Sequence, residues 1–179
     1  LESLRHHQSE QEALSVRLTA SYALLNSGER VAIHELIQLI APQVPEEIRK
    51  AAAFILATEL TVPLSGTQRE QLSRGLLLLL QDPNTEIALL AAKALRHVAL
   101  PFVLPPIREL LKRDDPDMQM RAMIALEESV GRASIRRLAQ EQGLATSVAP
   151  LLRSTVPDVR RQASYTLAAL GGEYALAVM

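Results

Sequence analysis

Histidines, paired carboxylates, serines and glycine-rich loops are the features of this chain that could support metal binding or catalysis. There are four histidines and no cysteine among 179 residues. His6 and His7 are adjacent, and adjacent residues do not share a helix face, so together they offer at most a weak surface metal site. His34 and His97 fall in separate segments with no histidine or carboxylate at ligand spacing. There is no His-Glu-x-x-His motif, and the lack of cysteine removes thiolate zinc sites, disulfides and thiol catalysis. Asp114-Asp115 and Glu127-Glu128 sit side by side, whereas an acid–base pair must face its partner across a cleft. They read as solvated or helix-start charge. Gly66 and Gly75 lack the lysine and surrounding pattern of a phosphate loop, and no serine has a nucleophile-elbow context. The sequence therefore predicts a non-enzyme with no catalytic, cofactor or metal residues.

The chemistry left is recognition, and composition limits its kind. Apolar residues make up 48%, charged residues 22%, and the net charge is −1. Such a balance supplies no field to steer a polyanion, which argues against nucleic acid as the main ligand. The stretch Ile87 to Pro106 carries Lys93, Arg96, His97 and prolines, so it does not meet the need for about 20 nearly uncharged apolar residues in a membrane span. No signal peptide is visible, and a cytoplasmic location is expected. The chain opens on Leu1 and stops soon after Gly171-Gly172. It reads as one repeat array over 1–179, a piece of a longer protein.

Leucine and alanine dominate while aromatics are only 3%, so the chain reads as helix broken at Pro, Gly and Ser. One motif recurs five times. An apolar residue (position 0) is followed by Ala at position 4 and Leu at position 8. The copies begin at Val16, Ile48, Ile87, Met118 and Val159. Position 4 holds Ala20, Ala52, Ala91, Ala122 and Ala163, and position 8 holds Leu24, Leu56, Leu95, Leu126 and Leu167. Positions 0, 4, 7 and 8 share one face of a helix. A stripe repeated at similar spacing means stacked units. Each interval holds a second apolar helix, near 30–41, 68–81, 106–113 and 144–154, so the unit is a helical hairpin. Pro45, Asp82-Pro83, Asp115-Pro116 and Pro157-Asp158 mark the turns before the motif helices. Thr67 with Glu70 forms a capping-box pattern, and Gly171-Gly172 suits the end of the last helix. The longest interval predicts an extra helix over 133–142, ended by Gly143.

The runs Pro157-Asp158-Val159-Arg160-Arg161-Gln162-Ala163 with Ala169-Leu170-Gly171, Glu46-Glu47-Ile48-Arg49-Lys50-Ala51-Ala52 and Val16-Arg17 resemble the HEAT-repeat family, in its bacterial, short-hairpin form typified by the phycobilisome lyases. Ala88 and Gln119 stand where that family has Arg, so those copies lack its usual Arg–Asp link. The resemblance implies an all-α, right-handed solenoid of about five hairpins, with an armadillo-like unit over 118–159. On function it implies several roles. The leading one is a protein-interaction scaffold. A bilin lyase-like subunit that attaches chromophores with a partner is an alternative. A nucleic-acid-binding protein like the HEAT-like alkylpurine glycosylases fits poorly, since this chain has no Trp and no positive charge excess.

In arrays of this kind the second helices line the concave side. Opposite the core stripe lie positions 2, 6 and 9. Position 6 holds Tyr22, Phe54, Lys93, Ile124 and Tyr165, three of the chain's five aromatics. Position 2 holds Leu18, Lys50, Leu89, Met120 and Arg161, and position 9 holds Leu25, Ala57, Arg96, Glu127 and Ala168. Aromatic and cationic side chains are common binding anchors. The expected partner-binding residues are Tyr22, Lys50, Phe54, Leu89, Lys93, Arg96, Met120, Ile124, Arg161 and Tyr165. Their expected ligand is an amphipathic or acidic segment of another protein. The competing expectation is that the position-6 aromatics are inter-repeat packing. Uncovered apolar ends also allow an end-to-end homodimer.

Overall fold

The structure, a computed structural model, describes residues 2–98 and 100–176, with side chains over 9–98 and 100–171. The chain runs α1 (Glu2–Asn26), α2 (Val31–Leu39), α3 (Glu46–Thr58), α4 (Gly66–Leu79) and α5 (Thr85–Ala94), which tightens into a 3-10 turn over Leu95–His97. A second 3-10 turn, Pro101–Val103, leads into α6 (Leu104–Leu111). Then come α7 (Pro116–Val130), α8 (Ala133–Glu141), α9 (Leu144–Val148) with a 3-10 continuation Ala149–Arg153, and α10 (Pro157–Leu176). No strand occurs among the described residues. The motif helices stack in sequence order, α3 on α5, α5 on α7 and α7 on α10, while α1 packs on α2 and α3. This is an all-α solenoid.

Four of the five motif copies place their stripe in the core. Ala52, Ala91, Ala122 and Ala163 are fully enclosed, and Leu56, Leu95, Leu126 and Leu167 are buried beside them. Each such leucine contributes roughly 1.5–3 kcal/mol by leaving water. The first copy departs from expectation. Val16 is 68% exposed, Leu24 is 37% exposed and Ala20 is exposed. None of the described helices covers that face of α1, which buries Ser21 and Leu25 instead.

The other stripes are assigned by hydrogen bonds. At position 1, Arg17 and Arg49 reach the following hairpin, where they bond Glu35 at 2.8 Å and Asp82 at 2.9 Å. At position 9, Glu127 accepts from Gln162 and Thr166 of the following hairpin, whereas Arg96, also at position 9, reaches back to the Ala57 carbonyl of the preceding hairpin. Positions 3 and 7 meet the preceding one, as Gln162 and Thr166 do. Arg121, also at position 3, donates to the Asp82 carbonyl and the Thr85 hydroxyl, both at 2.8 Å. It thereby anchors the fourth copy, where Gln119 replaces the family's Arg.

The turns refine the expected caps. Asp115 caps α7 by accepting from the amides of Asp117 and Met118. Asn84 caps α5, which leaves Asp82 free to pair with Arg49. The capping box of α4 is Ser65 with Gln68, not Thr67 with Glu70. The helix begins at Gly66, so Thr67 is already inside the first turn, and Glu70 pairs with Arg74. The extra helix α8 is present and is followed by Gly143 at φ 67°. At Gly171, φ is 116° and α10 kinks, but helical turns continue to Leu176 rather than ending there. A β-carbon at Gly171 would also lie 2.7 Å from Gln140 Nε2, which donates to the Leu170 carbonyl.

Candidate functional site

The outward stripe of the motif helices carries the aromatic row in the open. Tyr22, Phe54 and Tyr165 are 40%, 51% and 59% exposed, which is too open for inter-repeat packing. Lys93 and Arg161 are exposed, and Lys50, Leu89, Met120 and Ile124 are half-buried. Position 9 does not join this face in the first two copies, because Leu25 and Ala57 are buried. In these two copies position 9 is part of the core.

An open cleft of about 540 Å³ lies across α1, α3 and α5. Leu18, Ala51, Ile55 and Leu90 form its apolar lining, and Tyr22 and Phe54 stand beside them. Glu47, Lys50, Glu59 and Glu86 complete the lining with charge. The structure thus brings Tyr22, Lys50 and Phe54 together in one site. Leu89, Lys93, Arg96, Met120, Ile124, Arg161 and Tyr165 do not line it. Sequence reading missed the cleft glutamates and Leu90. For Glu47, Glu86 and Leu90 the signal was the helical offset of positions −1 and 3 from position 6, which lie on the same side of the wheel, whereas Glu59, at position 11, gave no such signal.

The expected cations have partners of their own. Lys50 Nζ is 2.6 Å from Glu86 Oε2, and this hydrogen bond raises the lysine pKa. Arg161 pairs with Asp158 at 2.6 Å. Arg96 donates to the Ala57 carbonyl at 2.8 Å, capping the end of α3. Lys93 makes no ion pair among the described residues.

Two other groups bear on chemistry. Glu127 is not a solvated surface carboxylate: it is half-buried between α7 and α10, and burial pushes its pKa up against the opposing bonds from Thr166 and Gln162. Burial pushes the half-buried His97 imidazole down, with Arg96 and Arg132 adding to it and the Ala57 carbonyl opposing. No group of His, Asp and Glu placed to hold a metal occurs among the described residues, and none of their helices is long and apolar enough to cross a membrane. The side chains of His6 and His7 lie outside the described residues.

On the opposite helices, a wider hollow of about 730 Å³ forms between α4 and α6. There the Arg74 guanidinium lies 5.4 Å from the centre of the Phe102 ring and Leu78 is exposed.

No protein-family model matches the chain. No curated protein matches it. Solved structures do. A designed armadillo repeat protein in complex with a (KR)4 peptide is 20% identical, with a TM-score of 0.58 over 96% of this chain and 82% of that one. One engineered protein from a structural genomics consortium is 20% identical, with a TM-score of 0.57 over 96% and 79%. Another is 20% identical, with a TM-score of 0.54 over 82% and 67%. At such identities the likeness concerns the backbone, and it agrees with the stacking order and the buried stripes: the chain has the fold of an armadillo-like, helical-repeat α-solenoid.

Proposed function

We propose that this chain is a non-enzymatic protein-interaction scaffold, acting in the cytoplasm, whose outward stripe of motif helices holds a peptide segment of a partner protein. The observation that carries this role is the cleft across α1, α3 and α5, where Tyr22 and Phe54 stand exposed beside an apolar lining. Large rings with few rotors bury much area at small entropic cost, and such residues dominate binding energies. Support also comes from the fold, since a designed armadillo repeat protein of similar backbone is in complex with a peptide.

The test is affinity capture from a lysate of the source organism, comparing the native chain with a Tyr22→Ala, Phe54→Ala, Tyr165→Ala variant. Far-ultraviolet circular dichroism first establishes that the variant keeps its helices. Capture of a partner by the native chain, reduced at least about thirtyfold in the folded variant, is the expected result, since hot-spot truncations cost about 2 kcal/mol or more. Equal capture by both forms moves the binding surface away from the aromatic row.

A further inference from the structure

The cleft between α1, α3 and α5 has apolar walls and charged edges, and the charges are unbalanced. Glu47, Glu59 and Glu86 contribute three carboxylates against the single ammonium of Lys50, which Glu86 already holds. Glu47 and Glu86 stand in the first turns of α3 and α5, where a carboxylate also answers the positive end of the helix dipole. Glu59 has no such reason. It is the C-cap residue of α3, at the negative end of the dipole, where a carboxylate is unfavourable. It is half-buried, and its carboxylate makes no salt bridge or side-chain hydrogen bond among the described residues. Arg96, which reaches the same end of α3, is spent on the Ala57 carbonyl. Nothing in the fold explains a partly desolvated carboxylate there, and a cation delivered from outside does.

From this charge complementarity we infer that the cleft takes a partner segment in which a large apolar or aromatic residue sits close to a lysine or arginine. The apolar side chain packs between Tyr22 and Phe54, and the cation meets Glu59. This departs from the acidic alternative among the ligands expected from the sequence, because Lys50, Arg96 and Arg161 are already paired or bonded and Lys93, which makes no ion pair among the described residues, lies outside the cleft. It rests on the peptide-binding role proposed above.

The experiment is selection of a random twelve-residue peptide library on the native chain, with Phe54→Ala as the counter-selecting protein. Enriched peptides are then titrated against the native chain, Glu59→Gln and Phe54→Ala at low and moderate salt. The expected peptides carry an aromatic or large aliphatic residue within a few positions of Lys or Arg. Glu59→Gln weakens them about fivefold at low salt, the scale of a partly exposed ion pair, and less at higher salt. Its melting temperature stays level or rises, because a carboxylate is removed from the wrong end of a helix dipole. Phe54-dependent peptides that are acidic or uncharged, or that bind Glu59→Gln as well as the native chain, overturn the cationic assignment and leave the interaction role standing. A selection with no Phe54-dependent enrichment overturns both.

Discussion

The junction between α3 and α5 and the junction between α7 and α10 join equivalent stripes of the same repeat with different chemistry. At the first, the Arg49 guanidinium is buried and pairs with Asp82, and it also donates to the Val44 carbonyl. Asp82 accepts the Asn84 amide as well, while Arg121 from the next motif helix holds the same turn from the other side. The turn before α5 is thus clamped by two arginines from two neighbouring hairpins. At the second junction there is no buried ion pair among the described residues. Glu127 accepts bonds from Thr166 and Gln162, and α8 adds a bond from Gln140 to the Leu170 carbonyl. A buried ion pair enforces one geometry but leaves a stranded charge when broken. A half-buried carboxylate that accepts neutral donors is more forgiving. At these two junctions a residue of the same stripe meets the following hairpin, and what differs is how strictly that meeting is held.

Removing a partner from each junction measures this difference. Asp82→Ala strands the Arg49 guanidinium and is expected to cost about 3–5 kcal/mol in urea unfolding. Next in size is a pair of overpacking changes at position 4. Ala122→Leu, in the core beneath α7, should cost about 1–3 kcal/mol, whereas Ala20→Leu on the uncovered face of α1 should stay within about 0.5 kcal/mol. Equal costs at the two sites would mean that α1 is covered as the other motif helices are. Glu127→Gln should be neutral or mildly stabilising at pH 7, because the amide oxygen still accepts both bonds. Its larger signature is in pH dependence. Burial raises the Glu127 pKa, so between the unfolded and the folded pKa values the folded state holds a proton that the unfolded chain has released. That contribution is fully present below the unfolded glutamate pKa and is lost as pH rises through the folded value. Stability curves of the native chain and Glu127→Gln from pH 4 to pH 7 should therefore diverge in that direction. The smallest effect is expected from Phe54→Ser, within about 0.5 kcal/mol, since an exposed ring outside either junction contributes little to folding.

The stacked hairpins were legible because alanine at position 4 and leucine at position 8 state a packing distance directly. Ala91 and Leu95 read the same in the string as in the core. The first copy shows where that legibility stops. Val16, Ala20 and Leu24 satisfy the motif letter for letter, but a stripe names a face and not the neighbour that covers it. The caps of α4 failed for a related reason. Ser65 with Gln68 and Thr67 with Glu70 are overlapping patterns of equal local merit. Gln68 is used where its side chain also donates to the Arg30 carbonyl of the adjacent hairpin, a contact the local pattern does not contain. The aromatic row of the candidate site could be read from position 6. Its acidic edge could not be read from positions 2, 6 and 9 alone, because Glu47 and Glu59 project from the ends of α3, at positions −1 and 11.

Arginines that close the ends of earlier helices also set an order in time. The carbonyl of Ala57 is bonded by Arg96, 39 residues later, and the carbonyl of His97 by Arg132, 35 residues later. A ribosome delivers these donors only after the helices they close have emerged. The motif helices α3 and α5 therefore finish their C-terminal turns one hairpin late, and while each is made the nascent chain carries an unsealed helix end behind its growing edge. Amide exchange on stalled chains of increasing length should follow that lag, with protection near Ala57 arriving when Arg96 clears the tunnel.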